Sequence, residues 1–109
     1  METPAYQNAK QLNNAVSQRA VLRVLQSASR WLTDERIAEL VNSTERAARL
    51  IIRDLRRAGH PIASESGRGY RWAADDPEAM RATIADFRSR GNDLFETANA
   101  MEKGIFEAV

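Results

Sequence analysis

Seven arginines between residues 43 and 72 are the side chains of this sequence whose type and spacing could do chemistry. They are Arg46, Arg49, Arg53, Arg56, Arg57, Arg68 and Arg71. Arginine carries a planar fork of N–H donors that fits phosphate oxygens and the O6 and N7 edge of guanine. The same segment has three acidic residues, a balance of +4, whereas residues 73–109 have four basic and eight acidic residues, a balance of −4. We therefore expect the middle of the chain to bind a polyanion.

The remaining composition is that of a globular domain, with 43% hydrophobic and 28% charged residues among 109. The chain has no cysteine, and its one histidine, His60, precedes a proline, where capping or exposure is the expected role. No paired carboxylates, nucleophile with a base, metal-ligand cluster or phosphate loop can be named. We predict no enzyme, no cofactor, no metal site and no small-molecule ligand. No apolar stretch approaches the ~20 residues of a membrane span, and no signal peptide is evident, so we expect a cytoplasmic protein.

The elements that position these arginines begin with two helices. Residues 1–13 show no clear period and are predicted to be a flexible arm. Apolar residues from Val16 to Ala28 recur at three- and four-residue spacing, which predicts a first helix over 14–28. Thr33 is the expected N-cap of a second helix over 34–41, which would bury Ile37, Leu40 and Val41.

A third helix and a hairpin are expected to carry the arginines. Asn42 tolerates the positive φ of a tight turn, Ser43 or Thr44 can cap a helix reaching Ala58, and Gly59 can end it. One stripe of that helix is apolar and the remaining surface is basic. Strands over 61–66 and 70–73, joined by Gly67-Arg68-Gly69, would follow, with Tyr70 and Trp72 pointing inward and Arg71 outward.

This order of elements predicts a winged helix-turn-helix domain over residues 14–73, of the α+β class and mainly α. The run Ile37-Ala38-Glu39-Leu40-Val41-Asn42-Ser43-Thr44, followed by Ala47-Ala48, Leu55-Arg56, Gly59 and the closing Gly67-Arg68-Gly69-Tyr70, resembles the DNA-binding domain of the biotin operon repressor. The resemblance covers about residues 20–73. Asn42 stands where that family usually has a glycine, and no ligase domain follows, so we expect the binding module without biotin chemistry.

The resemblance places six residues where relatives of this fold touch DNA: Ser43, Thr44, Glu45, Arg46, Arg49 and Arg53. We predict base contacts from Arg46 and Arg49, with Thr44 and Glu45 secondary. The expected phosphate or minor-groove contacts are Arg53, Arg56, Arg68 and Arg71. The alternative is that these arginines form only a solvated face, and Asp54 is spaced to pair with Arg53 or Arg57.

A fourth helix is predicted over 77–106, with Pro77 as its first residue. Its apolar positions follow a heptad register: Met80, Ile84, Phe87, Gly91, Leu94, Ala98, Met101 and Ile105. This face could pair with a second chain or fold back across its own domain. We favour dimerisation through Met80, Ile84, Phe87, Leu94, Ala98 and Met101, which would predict an inverted-repeat site with half-sites one DNA turn apart.

Together these features predict a homodimeric, sequence-specific regulator that binds double-stranded DNA. The excess of arginine and alanine over lysine is typical of a GC-rich bacterial or phage genome. The alternative from another class is an adaptor or inhibitor that uses a winged-helix scaffold to hold a partner protein.

Overall fold

The computed structural model describes residues 17–106. The predicted arm over 1–13 and the start of the first predicted helix, including Val16, lie outside the described residues. Within 17–106 the chain forms four helices and one antiparallel two-stranded sheet. In chain order these are α1 (17–27), α2 (Asp34–Leu40), α3 (Glu45–Arg57), β1 (Ile62–Glu65), β2 (Gly69–Trp72) and α4 (Pro77–Phe106). The prediction of a winged helix-turn-helix fold, mainly α, with an added long helix is confirmed. None of the helices in this range combines the length and apolar character that a membrane span requires.

Short polar and turn residues set the ends of α2 and α3, as predicted. The hydroxyl of Thr33 accepts a hydrogen bond from the Arg36 N–H at 3.1 Å, and that of Thr44 accepts one from the Ala47 N–H at 3.1 Å. Asn42 adopts a φ of 54° in the turn between the two helices, and Gly59 adopts 96° after α3. Both angles lie in the left-handed region that asparagine and glycine tolerate best.

The core lies between the first three helices and the hairpin. It contains Val21, Leu25, Leu32, Ile37, Ala38, Ala48, Ile52, Leu55 and Ile62, and Tyr70 and Trp72 pack against it as predicted. The prediction that Leu40 is buried is wrong, because 47% of its surface is exposed. The buried arc of α2 contains Ile37 and Ala38, with Val41 half-buried just beyond the helix end, so Leu40 falls past the edge of that arc.

The hairpin, which we call the wing, comprises β1, β2 and the turn between them. Its register pairs Ile62 with Trp72 and Glu65 with Gly69. β1 is therefore shorter than the predicted 61–66, whereas β2 has the predicted length but begins and ends one residue earlier than the predicted 70–73. Leu32 joins the edge of β2 through two backbone hydrogen bonds with Tyr70, of 2.8 and 2.7 Å. This bridge fixes the wing to the segment that leads into α2.

The long helix α4 starts at Pro77, as predicted, and within residues 17–106 its close contacts with other elements come from its N-terminal part. Thr83 is 7% exposed, and its hydroxyl accepts a hydrogen bond from the Ser64 N–H of β1 at 3.1 Å. Further along, Leu94 is 72% exposed and Met101 is 61% exposed. The first turns of α4 therefore pack against the wing, and the rest of its apolar face has no cover within residues 17–106.

Candidate nucleic-acid interface

The helix α3 has a buried side and a basic side. Ala48, Ile52 and Leu55 are buried in the core. Four arginines are exposed on the remaining surface, namely Arg46, Arg49, Arg53 and Arg57. Packing of the apolar stripe therefore fixes the rotation of α3 and presents these guanidinium groups outward. Of the predicted residues at the start of the helix, Thr44 and Glu45 are exposed and Ser43 is half-buried.

Arg49 is held by a residue of the preceding helix. Its Nη1 donates to Oδ2 of Asp34 at 2.8 Å and lies 3.8 Å from Oε2 of Glu45. The hydrogen bond from Arg49 lowers the pKa of Asp34 below its ordinary value, and the same contact raises the pKa of Arg49. Both ion pairs use Nη1, so among residues 17–106 Nε and Nη2 have no partner and can donate to an outside acceptor.

The other exposed arginines of α3 differ in their surroundings. Within the part of the chain that the structure describes, Arg46 makes no ion pair. Arg53 pairs with Asp54, with 3.1 Å between Nη2 and Oδ1, which is one of the two pairings expected for that carboxylate. Asp54 therefore neutralises part of the basic surface, next to Arg53.

Arg68 lies at the tip of the wing, with 61% of its side chain exposed. Its Nε is 3.7 Å from Oε1 of Glu65, a distance that indicates a loose pairing at the surface. The turn is closed by a hydrogen bond of 3.0 Å from the Arg68 N–H to the Glu65 carbonyl. A positively charged side chain thus projects from the end of the hairpin, as predicted.

Arg56 does not lie on the exposed basic surface, contrary to its predicted role as a phosphate contact. Its Nε donates to the Ile62 carbonyl at 3.0 Å, and its guanidinium lies 5.3 Å from the Tyr70 ring centre and 5.1 Å from that of Phe87. Its Nη2 is buried without a hydrogen-bond partner among residues 17–106. Burial lowers the pKa of Arg56 below its ordinary value. This arginine joins α3, the wing and α4 inside the fold.

Arg71 is also occupied within the protein, which limits its availability for the predicted DNA contact. Its side chain is 21% exposed, Nη2 pairs with Oδ2 of Asp76, and the guanidinium lies 5.3 Å from the centre of the Trp31 ring. The other oxygen of Asp76 accepts a hydrogen bond from the Ala79 N–H at 3.1 Å and so caps α4. Arg71 and Asp76 together hold the start of α4 against the wing.

Comparison with known protein families explains this arrangement. Residues 17–71, about half of the chain, match the family model described as HTH domain, where HTH denotes helix-turn-helix. The chain belongs to this family. Residues 17–71 are thus a DNA-binding HTH domain, in which α2, the turn at Asn42 and α3 form the helix-turn-helix. Neither the curated proteins nor the solved structures gave a match to the chain. The closer likeness to the biotin operon repressor stays a prediction.

The sequence did not reveal that Asp34 pairs with Arg49 or that Asp76, between β2 and α4, pairs with Arg71. Helical spacing suggests acidic partners only along α3, whereas Asp34 lies 15 positions before Arg49. Asp76 lies five positions after Arg71, across the exit from β2. Only the packing of α2 against α3 and of α4 against the wing brings these pairs together.

Asp76 gives a testable prediction for the junction between the HTH domain and α4. Asp76→Ala should lower the Tm more than Asp76→Asn, because asparagine keeps a capping oxygen and loses only the charge. The Ala79 N–H and then Arg71 lower the pKa of Asp76, so its stabilisation is complete above the ordinary aspartate pKa of ~4 and is lost as pH falls through the lower folded value. Thermal unfolding at pH 7 and pH 3 measures both effects. Asp75→Ala is the control, and an equal loss there would contradict the assignment.

Proposed function

We propose that the protein is a sequence-specific regulator that binds double-stranded DNA, from a bacterial or phage genome. The recognition helix α3 enters the major groove, and the wing lies along the phosphate backbone or the adjacent minor groove. The observation that carries this proposal is the exposed row of arginines on α3, opposite the stripe buried in the core of an HTH domain.

The placement of each arginine supports a division of roles. Arg46 and Arg49 lie in the first turns of α3, where base edges are read, and they are the proposed base contacts. Ser43, Thr44 and Glu45 surround the same helix start and are secondary contacts. Arg53 and Arg68 are proposed to bind phosphate or the minor groove. Arg56 and Arg71 instead hold the wing and α4 together, because their guanidinium groups are engaged within the protein.

We also propose that the protein acts as a homodimer paired through α4. The support is the exposed heptad face of this helix, on which Leu94, Met101 and Ile105 are each more than half exposed. Two linked HTH domains would bind two half-sites and gain affinity from each other. The residues 73–109 carry an excess of acidic groups, which disfavours contact between this helix and DNA.

Selection from a randomised duplex pool by the full chain tests the proposal. The expected result is enrichment of a two-part motif, bound much more tightly than unrelated duplex of equal length. If all duplexes are retained equally, the proposed sequence specificity is wrong and the protein binds only the DNA backbone. No retention at 50 mM salt would remove DNA binding and favour the adaptor role, in which the scaffold holds a protein partner.

Arg68→Ala separates backbone contacts from base contacts. Loss of a phosphate contact should weaken binding to the selected and to unrelated duplexes by the same factor and reduce the slope of log K against log salt by about 1. Arg23→Ala, an exposed arginine of α1, is the matched control for loss of one positive charge. Equal effects of the two substitutions would contradict a wing contact at Arg68.

A further inference from the structure

The exposed apolar face of α4 has a composition that specifies how a second copy would lie on it. We call this face the seam, and it consists of Met80, Ile84, Phe87, Gly91, Leu94, Ala98, Met101 and Ile105. The contact with β1 uses the neighbouring face, where Thr83 is buried. Met80 and Gly91 are half-buried, whereas Ile84 and Phe87 are 43% and 48% exposed. The seam is therefore open along most of its length.

The sizes of the seam residues alternate in a way that suits one helix direction only. In a parallel pair each residue faces its own copy, so Gly91 would face glycine and Phe87 would face phenylalanine. In an antiparallel pair centred between Asn92 and Asp93, Gly91 faces the partner's Leu94 and Ala98 faces the partner's Phe87. Small residues then lie opposite large ones, which fills space evenly along the interface.

The outer pairs of the antiparallel arrangement are also matched. Ile84 faces the partner's Met101, and Met80 faces the partner's Ile105. Every layer therefore contains at least one large apolar side chain. The parallel arrangement instead has two underfilled layers, at Gly91 and at Ala98, and one crowded layer at Phe87. Cavities and overpacking both cost stability.

The charges beside the seam favour the same direction. Residues 77–91 carry three basic and two acidic side chains, and residues 92–106 carry one basic and three acidic side chains. The antiparallel arrangement sets the first half of each helix against the second half of its partner. Arg81 then flanks the partner's Glu102, and Arg88 flanks the partner's Phe95, where a cation can lie over the ring. In a parallel pair, position 81 is about 30 Å from position 102.

We infer that α4 pairs antiparallel with α4 of a second copy of this chain. This inference rests on the proposed pairing through α4 and adds its direction. A helix of 30 residues is about 45 Å long, so the two HTH domains lie at opposite ends of the pair. Their half-sites are then separated by more than the single DNA turn of about 34 Å expected from the sequence.

Cross-linking of single-cysteine variants tests the direction. The chain has no natural cysteine, so Ile84→Cys and Met101→Cys each carry one reactive thiol. We expect a mixture of the two, with one copy tagged to change its size, to form the mixed covalent dimer under mild oxidation or with a short bis-maleimide. Each variant alone should stay uncross-linked. The mass of each sample in solution is measured in parallel by light scattering.

The outcomes separate failure of the direction from failure of the pairing. Efficient cross-linking of Ile84→Cys with itself would overturn the antiparallel direction and leave a parallel dimer. A monomer at 100 μM would overturn the pairing and its direction together, while the duplex selection reports on DNA binding independently. Charge exchange gives a second check: Arg81→Glu and Glu102→Arg should each weaken the dimer about 2- to 10-fold, and the double variant should restore it. Additive weakening in the double variant would overturn the proposed contact.

Discussion

Replacing Gly69 with alanine is expected to lower the free energy of unfolding by about 3 kcal/mol, a large part of the 5–15 kcal/mol typical of a domain. Gly69 adopts a φ of 100°, which an alanine side chain disfavours. A Cβ atom there would also lie 2.7 Å from the carbonyl carbon of Leu32 and 2.7 Å from Cα of Thr33. These are backbone atoms, so they can move only if the bridge between Leu32 and Tyr70 opens.

Gly67→Ala is the control for Gly69→Ala, because it changes a glycine of the same turn without the close contact. Gly67 has a φ of 85°, and a Cβ atom there would meet nothing within 4 Å. Its loss of stability should be about 1–2 kcal/mol, from backbone strain alone. Urea unfolding followed by circular dichroism measures both variants. Equal losses of unfolding free energy in the two variants would show that the segment before α2 can move to accommodate the added Cβ atom. This result would contradict a rigid attachment of the wing.

Short-range signals made much of the fold predictable. A capping hydroxyl such as Thr33 or Thr44 bonds to an N–H three residues later, and the positive φ of Asn42 and Gly59 depends on residue type. These effects are decided within one turn of the chain, so residue types place the helix ends closely, although only the structure distinguishes Thr44 from Ser43 as the cap of α3. The period of the apolar residues then indicates which face of α3 packs.

The roles of individual arginines were less predictable, because they depend on neighbours distant in sequence. Arg56 and Arg53 are both basic residues of α3, and periodicity alone treats them alike. Arg56 contacts the Ile62 carbonyl and the Tyr70 ring of the wing and the Phe87 ring of α4, so its withdrawal depends on how both elements pack against α3. The sequence therefore identifies a basic surface but overstates the number of arginines that can reach DNA.

The error at Leu40 has a similar origin. An apolar residue at helical spacing is expected to be buried, but α2 has only seven residues and buries a narrow arc of its surface. Ile37 and Ala38 lie on the side of α2 that packs in the core, and Leu40 lies outside that side. In so short a helix, the direction of the neighbouring helix decides which of the apolar positions is covered.

Arg49→Ala is expected to reduce discrimination between the selected duplex and unrelated duplexes about 10- to 100-fold, the range for loss of a bidentate contact with a base. Affinity for unrelated duplexes should fall much less. Arg57→Ala is the matched control, because Arg57 is exposed on the same helix but lies in its last turn. Competition binding at one fixed salt concentration measures the ratio. Equal changes in both variants would indicate that Arg49 binds only the backbone.

Substitution of Asp34 should also reduce discrimination between the selected duplex and unrelated duplexes, because Asp34 orients the Arg49 side chain through their hydrogen bond. The carboxylate binds Nη1, so the Arg49 side chain has less rotamer freedom to lose when it contacts a base. Asp34→Asn keeps the shape but weakens the bond to Arg49, and it also removes a negative charge that repels phosphate. We therefore expect affinity for unrelated duplexes to rise while discrimination falls.

Glu35→Gln makes the same charge change next to Asp34 without a bond to Arg49. If Glu35→Gln lowers discrimination as much, the effect is general electrostatics rather than orientation of Arg49. If Asp34→Asn still has its effect when Arg49 is already alanine, the two residues act separately.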